Sequence, residues 1–518
     1  MPRAMDTLRR RRTQVIAVSS EDATQNQLIS PVMYTRRANK LMPDVDREQQ
    51  QFLEAEHLVE LHSVELKKEL RLADLVLTQI LYIVGLAWIG YAAKLGPANV
   101  VFWLAAVILF YIPSSIVIIH LSREMPLEGG IYQWAKLRFG DLAGFLVAWN
   151  LWFWTVIVLS EIGIFTANNL AYALGPPGAW IAENKAIILG SGIAISTGLM
   201  LVARRGLALG KWVHNLGGAT LLLLFSMVLA LALLHWWRGH VTAAAMTLSL
   251  PALTIYNLNI FGKMAFGALS GFEGVAVFAG EYRSASAARS IRQSIFLAAP
   301  LIASMFIAGT ACVLIFSQPA DIDLVSPIAQ IISLGTQGWR IGAWLAPAIL
   351  LALFVGRIAQ ASLVFNATTR LPMVAGWDRL LPDWFSRLHP RHKTPVGAIL
   401  FIGTLTIFVL ILGSAGVGSQ EAVQLMSNSA VILYALTYVL MFSIPLLGLG
   451  ERAPWSVRIA AVSGLLTTLL YVVLSIFPVI SVANPLGFTL KVGGTVLAVN
   501  AAGTLYFVYA KRKIPRRI

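Results

Sequence analysis

Cysteine is almost absent from this chain. Cys312 is the only one, it lies in an apolar run, and an internal disulfide is therefore excluded. No CxxC, no HExxH and no cluster of His with Asp or Glu occurs, so no metal site is expected. A phosphate-cradling loop of the Walker type is also missing, which argues against an ATP-driven motor, and no cofactor is expected. Charge is scarce as well: 13% of the 518 residues are charged, against about 25% in soluble proteins. With 57% hydrophobic residues and a mean hydropathy of +0.72, the composition is that of an integral membrane protein.

What charge there is lies in particular places. The net charge of +15 would suit nucleic acid, but the basic residues fall in every second loop between apolar segments, so no nucleic-acid partner is expected. The first seventy residues are polar; the run Arg9 to Arg12 is not followed by an apolar stretch and is not a signal peptide. Residues 1–72 read as a cytoplasmic arm. Within it, about 46–71 repeats apolar residues (Phe52, Ala55, Leu58, Val59, Leu61, Leu66, Leu70) at helical spacing, which predicts an amphipathic helix along the membrane surface.

Twelve apolar segments follow, at about 73–95, 98–121, 142–174, 185–203, 209–235, 255–281, 292–316, 341–370, 394–413, 427–449, 456–480 and 487–510. The fold expected is all-α, with twelve transmembrane helices over 73–510 and a basic tail at 511–518. Loops on the side of the termini, with the tail, hold 21 Lys and Arg; the opposite loops hold 5 (Lys94, Lys185, Arg238, Arg340 and Lys491). That bias places both termini in the cytoplasm and the chain in the cell's inner (plasma) membrane, with the lipid bilayer as its solvent.

The sixth segment, YNLNIFGKMAFGALSGFEGVAVFAGE (256–281), is the least regular. It holds Gly262, Gly267, Gly271, Gly274 and Gly280, together with Lys263 and Glu273. Each glycine loosens a helix by about 1 kcal/mol relative to Ala, and a charge at mid-bilayer costs about 2.5 kcal/mol or more. Close packing through small residues explains the glycines but not Glu273. A helix broken around Ser270, Gly271, Phe272 and Glu273 explains both, because freed backbone groups are tolerated where they line a cavity. The first segment carries the counterpart: Gly85 and Gly90 flank Leu86, Ala87, Trp88 and Ile89, just after Val84. Interrupted helices at matching positions of two halves point to an inverted repeat with a central site. The repeats would cover about 73–235 and 255–449, with two further helices at about 456–510. Broken ends offer N–H groups to a carboxylate and carbonyls to an amine, which suits an amino acid. Trp88 and Phe272 stand beside the breaks as gates or apolar walls.

Two more charges fall well inside spans: Glu161 in the third and Arg357 in the eighth. With Lys263 and Glu273 they make four intramembrane ionisable residues, which serve either as charge pairs or in proton coupling. Glu161 with Arg357 is one pairing; which acid meets which base stays open. Desolvation favours a neutral carboxyl, so Glu273 is the candidate for taking up a proton.

Three stretches together resemble the amino acid–polyamine–organocation permeases over nearly all of 73–510. SREMPLEGGIYQWAKLRFGDLAGFLVAWN resembles that family's re-entrant segment and third-span start, and FGALSGFEGVAVFAGE with SASAARSIRQSI is similar to its sixth span and following loop. TRLPMVAGWDRLLPDWFSRLHPRHKTPVGA, with Arg370, Asp378, Pro382 and Pro395, resembles its eighth-to-ninth loop. The spacing into FYIP and the following EGG look closest to the glutamate/GABA-antiporter branch. The resemblance implies a LeuT-type 5+5 inverted repeat with helices 1 and 6 broken, and secondary transport of amino acids or their amines by alternating access, proton-coupled or by exchange. It places substrate at Val84, Gly85, Leu86, Ala87, Trp88, Ser270, Gly271 and Phe272. Two departures bear on substrate identity. The family's Gly-Ser-Gly is Gly85-Leu86-Ala87 or Trp88-Ile89-Gly90 here, and its Glu-Thr-Lys-Asn-Pro is Glu281-Tyr282-Arg283-Ser284-Ala285. The alternative is an amino acid receptor or sensor built on the same fold. An enzyme is not expected, since His120, His214 and His235 are scattered near span ends with no nucleophile–base pair.

Overall fold

A backbone crossing lipid must satisfy its own hydrogen bonds, so an apolar chain of this length folds as helices. The computed structural model describes residues 70–125, 129–238, 249–281, 287–337, 342–377, 380–413, 419–448 and 452–513. Almost all of the expected arm and its amphipathic helix, and the last five residues, lie outside that set.

Among the described residues, eleven helices are long and apolar enough to cross a bilayer, and one bent pair makes a twelfth. The pair is the first span: Leu72–Ile83 and Leu86–Ala93, meeting at 46°. The second span, Gly96–Glu124, contains a π-helical turn at Val107–Tyr111, and a short helix, Ile131–Phe139, leads to the third, Asp141–Leu174. Lys185–Arg204 and Leu207–Trp237 are the fourth and fifth. The sixth starts at Ile255–Gly262, continues as a π-helical turn over Lys263–Ala268, breaks, and resumes as a 3-10 helix, Phe272–Glu281. Ala287–Phe316, Gly342–Trp377, Val396–Gly413, Ser419–Leu447, Trp455–Leu474 and Pro485–Lys513 complete the set, with the short helix Pro327–Thr336 between the seventh and eighth.

The spans match the apolar segments of the sequence, with the largest shifts at the eighth, which runs on to Trp377 past the expected 370, the tenth and the eleventh. The tenth begins at Ser419, two turns before the segment expected from 427, and the eleventh ends at Leu474, short of 480. The added turns of the tenth carry Gln424, which is buried in protein, so their polarity costs nothing in lipid. Pro478 follows the eleventh and cannot continue a helix.

Burial grades the spans by role. The sixth is 94% buried along its apolar window and the twelfth 17%, so the sixth is an inner element and the twelfth faces lipid. The first half of span one packs on spans five, seven and eight; span ten packs on spans three, eleven and twelve. Exposed indoles sit at span ends, Trp236, Trp237 and Trp344 on one side and Trp212 and Trp455 on the other, where amphipathic rings suit the lipid–water boundary.

Candidate substrate cavity and the two broken spans

The first break is two residues long. Val84 and Gly85 close the upstream helix through Val84 N–H to Ile80 O (3.0 Å) and Gly85 N–H to Ile83 O (2.8 Å). The new helix starts at Leu86, and Trp88 N–H returns to Gly85 O at 3.1 Å. A helix start leaves its first N–H groups without intrahelical acceptors, here those of Leu86 and Ala87. On the upstream side, the carbonyls of Leu81 and Val84 accept from Gln360 Nε2 at 2.8 and 3.3 Å. Gln360 in turn accepts from Arg357 Nη1 at 2.7 Å, and the Arg357 guanidinium lies 4.2 Å from the centre of the Phe165 ring. Arg357 and Gln360 are three apart on one helix face, so one turn of span eight both staples the break and brings a cation beside it.

These groups border a cavity of about 550 Å³, counting its open mouth. Leu81, Val84, Leu86, Phe165, Leu221 and Leu353 supply apolar wall; Arg357, Gln360 and Asn169 supply polar groups; Val325 to Ala329 cover it from the segment after span seven. Asp323 pins that cover. It accepts from Tyr172 Oη (2.8 Å) and from the N–H groups of Val325 (2.8 Å) and Ser326 (3.3 Å).

The sixth break is built differently. Leu269 to Gly271 leave the helix, and Gly271 adopts φ +131°, a conformation closed to side chains with a Cβ. Its N–H donates to Tyr438 Oη at 2.9 Å. Both Tyr434 and Tyr438 donate their hydroxyls to the Glu273 carboxylate. Donors on either oxygen suit an ionised carboxylate. Phe272 is fully buried and stacks on Tyr111, centroids 4.8 Å apart.

Of the eight substrate residues expected from sequence, Val84, Leu86 and Ala87 line the cavity. Gly85 adjoins it, and the half-buried Trp88 indole fits between Gly85 and Gly267, whose Cβ positions would come within 2.7 and 2.9 Å of it. Ser270, Gly271 and Phe272 are buried and do not border this cavity, because the sixth break is closed by Tyr438 and Tyr111. The four buried charges are not brought together as ion pairs within 4 Å. Glu161 accepts from Ser427 Oγ (2.8 Å) and makes no direct contact with Arg357, which donates to Gln360. Lys263, wholly buried, donates to Asn428 Oδ1 (2.7 Å) and lies 5.4 and 5.9 Å from the ring centres of Tyr91 and Tyr471.

Sequence reading missed the partners: Gln360, Asn169, Ser427, Asn428, Tyr434 and Tyr438. Two signals were available, the i, i+3 pair Arg357/Gln360 and the i, i+4 pair Tyr434/Tyr438, since such pairs share a helix face.

A family model described as amino acid permease matches residues 70–499. An uncharacterized transporter of Legionella pneumophila is 26% identical over 73% of this chain and 80% of its own length. A branched-chain amino acid permease of Bacillus subtilis is 22% identical, covering 71% and 81%. An arginine/ornithine antiporter of Lactococcus lactis is 24% identical, covering 64% and 65%. Among solved structures, that of MhsT in complex with L-phenylalanine superposes with a TM-score of 0.56 at 13% identity, covering 79% of this chain and 99% of that one. The fold is the LeuT type, with spans one and six both broken.

Proposed function

The chain belongs to the amino acid permease family, secondary transporters that work by alternating access, and on that premise we propose that it carries amino acids or related amines through the cavity at the first-span break, by exchange or with a proton. The observation that carries this reading is the broken first span itself. The start of its second half, whose first N–H groups have no intrahelical acceptor, lines an open-mouthed cavity through Leu86 and Ala87, with Arg357 in the same wall. The names of the relatives, a branched-chain permease and an arginine/ornithine antiporter, support both the substrate class and exchange. We place the protein in the inner (plasma) membrane with cytoplasmic termini, supported by the 21-to-5 loop bias in Lys and Arg.

We assign the proton, where transport is proton-coupled, to Glu273. Its carboxylate is held here by Tyr434 and Tyr438. A movement of span six against span ten would strip those donors away, and a carboxylate left bare in a dry site is neutralised by taking up a proton.

Uptake into proteoliposomes tests the reading. Labelled amino acid should enter faster when unlabelled substrate is inside or when a pH gradient is imposed, and Glu273→Gln should flatten the pH dependence while exchange persists. Binding without uptake under any gradient or counter-substrate would remove the transport reading.

A further inference from the structure

The cavity wall carries charge of one sign. Among the described residues, Arg357 is the one ionisable residue that lines it, and no Asp or Glu does. Glu161 lies behind the wall, 2% exposed and held by Ser427, with no ion pair to Arg357 within 4 Å. Asp323 above it is engaged by Tyr172 and two loop N–H groups. Of the five N–H donors of Arg357, the described residues assign one, on Nη1, to Gln360. The rest of the fork is left for a planar, bidentate acceptor, and Leu86 and Ala87, whose N–H groups have no intrahelical acceptor, line the same space. Asn169, 8% exposed, adds a neutral amide to the wall, its Oδ1 buried without a partner. The remaining lining is chiefly aliphatic, with the Phe165 ring beneath the guanidinium.

Resting on the proposed site, we infer that this cavity takes zwitterionic amino acids with apolar side chains and excludes their decarboxylated amines and dicationic substrates. The carboxylate meets the Arg357 guanidinium beside the start of the second half-helix, and the side chain fills the space between Leu81, Leu221 and Leu353. An amine lacking the carboxylate leaves Arg357 unpaired and adds a like charge to a site with no acid in its wall. Both effects act in the same direction.

Leucine and 3-methylbutylamine differ only by the carboxylate, and so do phenylalanine and 2-phenylethylamine. Ligand-induced thermal shifts of the purified protein give the affinity of each member, and agmatine serves as the dication. In each pair the amino acid should bind at least about 100-fold more tightly than the amine, the scale of losing a bidentate charged contact. Agmatine should bind no better than the amines. Arg357→Gln should erase the preference by weakening the amino acids alone. Arg357→Lys, which keeps the charge without the fork, should retain part of it, and it serves if the Gln protein does not fold. Amines binding as tightly as their amino acids, binding by neither member of any pair, or equal weakening of both in the Arg357 variants would overturn the inference. Preferential amino acid binding without uptake into proteoliposomes would leave the inference standing and remove the transport reading.

Discussion

The two broken spans solve one problem in opposite ways. The first breaks beside a cavity, in extended backbone any residue can adopt: Gly85 has φ −90° and ψ 110°. Its freed carbonyls are met by one side-chain amide, Gln360, and its first N–H groups, on cavity-lining Leu86 and Ala87, have no intrahelical acceptor. The sixth breaks inside packed protein, at a backbone angle only glycine tolerates, and its groups are tied to two tyrosines of span ten. An open break is free to bind a ligand, whereas a closed one holds the packing of spans six and ten together. Glycine in a membrane helix therefore has two distinct uses here, and spacing in the sequence does not separate them.

The largest effect should come from adding a methyl group at the closed break. Gly271→Ala combines a positive φ, costing about 1–3 kcal/mol, with a Cβ placed 2.8 Å from Ile83 Cγ1 and 2.9 Å from Tyr82 Cδ1. A loss of about 3 kcal/mol or more in detergent unfolding is expected. Gly85→Ala needs no unusual backbone and its Cβ meets only the half-buried Trp88 indole, so it should cost about 1–2 kcal/mol and act mainly on substrate affinity. Equal unfolding shifts for the two would break the comparison.

Next in size are the staples. Tyr438→Phe strands the Gly271 N–H and removes a donor from Glu273, for a cost of about 2–3 kcal/mol. Gln360→Leu frees two carbonyls at the edge of a cavity, where water takes over the bonds, and should cost about 1 kcal/mol. Urea titration of both variants in micelles would order them; the reverse order would mean that the first break is the tighter one.

The smallest effect is expected at Lys263, which sits about two turns before Gly271 with a neutral amide as its hydrogen-bond partner. Removing a buried, unpaired charge while keeping volume offsets the lost bond to Asn428. Lys263→Met should therefore melt within about 1 kcal/mol of the parent or above it. A drop of several kcal/mol would show that the ammonium is held by more than Asn428 and two rings.

Much of this molecule is legible without coordinates. The twelve spans follow from apolar length, the sixth break from coincident glycine and charge, and the first from its paired glycines at the matching position. The position of Arg357 within span eight is equally plain. Less legible was the start of span ten, because polar residues such as the buried Gln424 lower the hydropathy of its first turns. The pairing of charges was not legible at all. Glu161 and Arg357 look like natural partners in one dimension, yet each takes a neutral hydrogen-bond partner, Ser427 and Gln360.

By itself the sequence determined the class of solvent, the number of crossings and the weak points of the two central helices. Each of these depends on what a residue costs in lipid or in a helix, a property that residue carries wherever it lies. Only the tertiary structure decided which break is open and which is latched. That outcome rests on side chains far away in the chain: Tyr434, 161 positions from Glu273, and Gln360, 279 from Leu81. Hydrogen bonds are directional and short, so their partners are set by how helices pack, and neither composition nor periodicity encodes that distance.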